Sequence, residues 1–94
     1  MPENTKDHDI QRLSDFKPGE ALTILGLLAG TEDGASPEIM RRLSALGFVP
    51  GTKVEILRRA PLGDPVEYSL RGTRISLRRS EAMYVQVSTL DEGA

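Results

Sequence analysis

FVPGTKVEIL, residues 48–57, repeats in outline the earlier stretch FKPGEALTIL, residues 16–25. Both read F-x-P-G, and both continue into an apolar-x-Ile-Leu run. Proline fixes φ at one turn position and glycine supplies a positive φ at the next, so each Pro-Gly pair predicts a type II turn. The alternating residues that follow predict a strand. A single ten-residue match does not make a repeat protein. It predicts one device used twice, a turn that launches a strand into a common barrel.

Working outward, the first copy predicts a strand over residues 20–27, with Leu22 and Ile24 facing one way and Leu25 and Leu27 the other. GTEDGASP then reads as a loop that ends in a helix start. Ser36 suits the N-cap, Pro37 the first helical position, and Glu38 the positive end of the helix dipole. Ile39, Met40, Leu43 and Leu46 form one apolar stripe, Gly47 is a left-handed cap, and Pro50 follows shortly after. A helix of about 10–11 residues is too short to stand alone and must pack on a sheet.

After the second copy come the loop APLGDP, then VEYSL, a short turn around Arg71-Gly72-Thr73, ISLRR, and AMYVQVS. Val66, Tyr68 and Leu70 share a face, as do Ile75 and Leu77, and Met83, Val85 and Val87. The expected fold is mainly β with a helical insertion: a small SH3-like β-barrel of about five strands with one short helix packed on it. Closure is favoured because it removes exposed strand edges.

The chain has 94 residues, enough for one small domain. Residues 1–10 read as a flexible polar arm, 11–90 as the domain and 91–94 as a frayed tail. No apolar run approaches the ~18–20 residues of a membrane span, so direct membrane insertion is not expected. A cytoplasmic protein, monomeric or weakly self-associating, is the expectation. There is no cysteine, which excludes disulfides and thiolate metal sites, and the one histidine, His8, falls in the arm.

No G-x-x-x-x-G-K-[ST] loop is present, and a lone histidine in an arm cannot complete a Ser–His–acid arrangement. The acidic stretch GTEDG is far shorter than a calcium-binding loop. Asp64 before Pro65 suits a turn, and Glu67 suits a cross-strand pair with an arginine. No catalytic residue, metal ligand or cofactor is therefore assigned, and an enzyme is not expected.

The net charge of −2 is unevenly spread: residues 58–79 hold six arginines against Asp64 and Glu67, a local charge of +4. Strand alternation places Arg74 and Arg78 on the side of Ser76, and Arg71 on the side of Glu67 and Ser69. A solvated face, phosphate contact and docking to an acidic protein surface all fit such a pattern. Nucleic acid is not expected, because base stacking calls for exposed aromatics and the chain has only Phe16, Phe48, Tyr68 and Tyr84. Leu62, flanked by Pro61 and Gly63, either folds back as a lid on the barrel or stands out as an apolar anchor.

Four ordered pieces carry a family resemblance: L-x-x-L-G (Leu43, Leu46, Gly47), V-P-G (Val49 to Gly51), R-x-A-P-L-G-D-P (Arg58 to Pro65) and L-R-x-x-E-A (Leu77 to Ala82). Over residues 12–88 the chain resembles the FeoA family, small cytoplasmic accessory proteins of bacterial ferrous iron transport. The resemblance implies an SH3-like barrel. It also implies an adaptor that acts with the transporter FeoB, which has a cytoplasmic GTPase domain. The arm and the GTEDGAS loop are longer than the family pattern. Residues Pro61, Leu62, Gly63 and Asp64, with Arg71, Arg74 and Arg78, are the expected partner-binding set. The rival expectations are a small-barrel nucleic-acid-binding or transcription-regulatory module, and a regulator that senses the transporter's nucleotide state.

Overall fold

A computed structural model describes residues 10–28 and 36–89. The GTEDG loop, His8, the arm up to residue 9 and the DEGA tail lie outside the described residues. Six strands form one antiparallel sheet: β1 (Gln11–Arg12), β2 (Ala21–Leu27), β3 (Lys53–Arg59), β4 (Val66–Leu70), β5 (Thr73–Leu77) and β6 (Val85–Ser88), in the order β1-β6-β2-β3-β4-β5. Helix α1 (Pro37–Leu46) precedes β3, and a single turn of helix, α2 (Arg79–Ala82), lies between β5 and β6. About five strands were expected. The sixth is the two-residue β1, too short to carry a periodic signal. Leu13 beside β1 and Leu77 in β5, at opposite ends of the strand order, are buried in one core, so the sheet curls round to bring its ends to a shared interior.

The two F-x-P-G copies lie side by side and antiparallel, and Leu22 of the first pairs with Val54, its own counterpart in the second. A local two-fold axis therefore passes through that pair. The Gly19 N–H donates to the Ile56 carbonyl (2.8 Å) and the Gly51 N–H to the Ile24 carbonyl (2.7 Å), a symmetric exchange. Ile24 N–H to Thr52 and Ile56 N–H to Glu20 form the next such pair, at 2.8 and 3.0 Å. Gly19 and Gly51 hold φ of 98° and 90°, the left-handed conformation that the turn requires and a side chain resists.

The symmetry extends outward. Each copy has a bulge just past its core isoleucine, between Ile24 and Gly26 and between Ile56 and Arg58. On its other edge each strand pairs with a second partner across the bulge, β6 for β2 and β4 for β3. The partners read VQVS and VEYS at matching positions, a second echo in the sequence. The bulges also correct the expected faces. One extra residue shifts the alternation, so Leu27 joins Leu22 and Ile24 on the core side, and Leu25 is left exposed.

Helix α1 follows its expected caps. Ser36 Oγ accepts the Ile39 N–H at 3.2 Å, and Gly47 is left-handed. The Phe48 N–H then reaches the Leu43 carbonyl and the Gly47 N–H the Ser44 carbonyl, both at 3.0 Å. This Schellman geometry turns the chain so that Phe48 drops into the core directly after the helix. Phe48 and Tyr68 meet edge to face, with ring centroids 6.4 Å apart. Met83, expected to line a face with Val85 and Val87, is exposed, because α2 and the turn after it interrupt the strand alternation there.

A candidate partner-docking site

The bulged end of β3 runs into the loop of residues 60–65. The Gly63 N–H donates to the Ala60 carbonyl at 2.7 Å, closing a tight turn with Pro61 second and Gly63 fourth, the residue preferences of a type I turn. Leu62 occupies the third position, at the apex. The Ala60 N–H bonds the Pro65 carbonyl at 2.9 Å and closes the loop's base. Leu62 is 96% exposed, so it is not a lid on the barrel. A fully exposed leucine on a braced turn is an apolar group held out in water.

Asp64 is bound at long range. Its Oδ1 accepts the Arg79 N–H at 2.8 Å, tying the loop to the first turn of α2. Asp64 thus satisfies one of the open donors at the start of that short helix. Glu81 closes the same turn, since its Oε1 accepts the Arg78 N–H at 2.9 Å and its other oxygen pairs with Arg42 of α1. Beneath the loop, Tyr68 is fully buried. Burial pushes its phenol up to about 12, Asp64 adds to the rise, and Arg59 and Arg79 oppose it.

The arginines divide into three places. Arg78 follows β5 at the loop's end of the sheet, next to α2. Arg74 lies on the outer face near Glu67, at 4.0 Å, and Arg58 pairs with the same carboxylate at 3.4 Å. Arg71 lies in the opposite turn, a strand's length from Leu62. Its φ of 50° takes it out of the alternation that would have set it beside Glu67, and its Nη2 donates to Thr52 Oγ1 at 3.2 Å. Arg42, which lies off the apolar stripe of α1, joins Arg78 and Glu81 here. The signal available in the sequence was its place on the polar side of α1.

All four aromatic side chains are buried in the core or packed against it. Among the described residues no group of three His, Cys, Asp or Glu side chains is placed to hold a metal ion, and no helix is long and apolar enough to cross a membrane.

The FeoA domain model matches residues 11–89. The chain belongs to the FeoA family. Its fold is similar to the solution structure of FeoA from Chlorobium tepidum, with a TM-score of 0.74 and 37% identity over 86% of this chain and 71% of that one. FeoA of Stenotrophomonas maltophilia complexed with zinc, a prokaryotic SH3 domain protein, matches with a TM-score of 0.69 and 32% identity. That match covers 83% of this chain and 89% of the other. The SH3-like expectation holds. A Porphyromonas gingivalis fusion of Fe(2+) transport protein A with the Fe(2+) transporter FeoB is 35% identical over 54 residues, which are 57% of this chain and 6% of the fusion protein. The FeoA family is thus linked to ferrous iron transport, and one relative carries it on the same chain as FeoB.

Proposed function

We propose that this protein is an accessory of ferrous iron transport that docks on the cytoplasmic part of a FeoB-type transporter and modulates its activity or assembly. It acts by binding and performs no catalysis of its own. The observation that carries the reading is Leu62, held 96% exposed at the apex of a hydrogen-bonded turn. An apolar side chain that is already ordered loses little entropy on binding, so its burial translates more fully into affinity. Fusion to FeoB in a relative supports that choice of partner. Pro61, Gly63 and Asp64 hold the leucine in place. Arg78 lies at its end of the sheet, while Arg71 and Arg74 add longer-range attraction to an acidic surface. The burial of all four aromatics weighs against the nucleic-acid alternative.

An amide chemical-shift map tests the reading. Isotope-labelled protein is titrated with the transporter's cytoplasmic portion. Shifts centred on residues 60–65 are expected. Shifts confined to the β1 edge or to α1, with residues 60–65 unmoved, contradict it.

A further inference from the structure

A depression of about 310 Å³ lies beside the Leu62 loop, lined by Arg42, Pro65, Ser76, Arg78 and Glu81. Its residues come from four separate pieces of chain: α1, the loop's last residue, β5 and the α2 turn. Glu81 is already engaged on both carboxylate oxygens, by the Arg78 N–H and by Arg42. It therefore offers little to a cation and serves to fix Arg42 in place. The guanidinium of Arg78 has no ion pair with any described residue, and Arg42 is half-exposed with donors beyond those that face Glu81. Ser76 adds a hydroxyl. An open pocket with two planar cations, one of them unpaired, is chemically a carboxylate receptor.

We propose that this pocket receives an Asp or Glu side chain of the same partner that covers Leu62, so that docking is a two-point contact. The inference rests on the docking function proposed above. Continuity selects a protein carboxylate as the occupant. Pro65 lines the pocket and also closes the base of the Leu62 turn, and the Asp64–Arg79 bond ties that loop to α2. A partner surface large enough to cover the leucine therefore reaches the pocket. The apolar point supplies burial, and the charged point sets orientation. Arg42 and Arg78 are the residues of this second point; Arg74 is excluded by its place beside Glu67, and Arg71 by its distance.

The experiment measures affinity of the full chain for the transporter's cytoplasmic portion across a salt series, for wild type, Leu62→Ala, Arg78→Ser and Arg42→Gln. Arg78→Ser keeps the backbone N–H that bonds Glu81, and the melting temperature of each variant checks its fold. Roughly ten-fold weaker binding at low salt is expected for Arg78→Ser, with a flatter salt dependence. Arg42→Gln is expected to act in the same direction. If Leu62→Ala weakens binding while both arginine variants match wild type in affinity and salt slope, the pocket inference fails and the docking function stands. If none of the three weakens binding, the docking function itself fails. Inorganic phosphate that shifts the Arg42 and Arg78 signals at millimolar concentration, with no competition against the partner, overturns the carboxylate assignment in favour of a free-anion site.

Discussion

The two F-x-P-G copies share a backbone and differ in what surrounds them. Around the axis at Leu22 and Val54, turns, bulges and strand partners match pair by pair. The flanks do not match. Phe48 leaves helix α1 through its left-handed cap and is fully buried against Tyr68. Phe16 follows a single 3-10 turn whose Leu13 already fills the core, so Phe16 stays half-buried, and its carbonyl accepts a bond from Arg59 at 3.2 Å. Past the bulges the difference widens. The first copy continues into the interior with Leu27, and the second continues as Arg58-Arg59 and the Leu62 turn. The symmetric part builds the barrel, and the candidate site lies where the copies diverge.

The largest expected effect separates the two phenylalanines. Phe48→Ala should cost about 3–5 kcal/mol in denaturant unfolding and Phe16→Ala about half that, because only Phe48 leaves a closed cavity. Equal losses would mean that the flanks are less different than burial makes them. Next is alkaline pH. With its folded pKa raised to about 12, the neutral Tyr68 phenol contributes stability that is fully present below pH ~10 and is lost as pH rises toward 12. About 2 kcal/mol is expected to disappear over that range, and Tyr68→Phe should remove this dependence.

Smaller effects probe the symmetric part. Gly19→Ala and Gly51→Ala should each cost about 1–2 kcal/mol, and by similar amounts. Both glycines have a positive φ and open space where a Cβ would go, so the penalty is conformational on both sides of the axis. Unequal costs would show that the axis is geometric and not energetic.

Much of this was legible in the residues. The turns, the helix with its caps and the alternation of VEYSL all carry local signals, and the motif pieces were specific enough to name the family. The bulges were not legible, because an extra residue leaves the local composition unchanged and is visible only in the register. That is why Leu27 was placed on the wrong face. Helix α2 was missed because four residues are too few to show a period. Its acidic partner, Asp64, comes from fifteen positions earlier and so resembled an ordinary turn residue. Whether Leu62 was lid or anchor depended on contacts across the fold, which no local pattern contains.

The smallest expected effect on stability accompanies the central functional claim. Leu62→Ala should move stability by less than about 0.5 kcal/mol, since an exposed side chain gives up no packing. The decisive measurement is the affinity of Leu62→Ala for the cytoplasmic portion of a FeoB-type transporter, beside wild type with a matched melting temperature. A loss of at least about ten-fold is predicted, as for an apolar anchor at an interface. Equal affinity of the two proteins, at low and at high salt, would contradict the account.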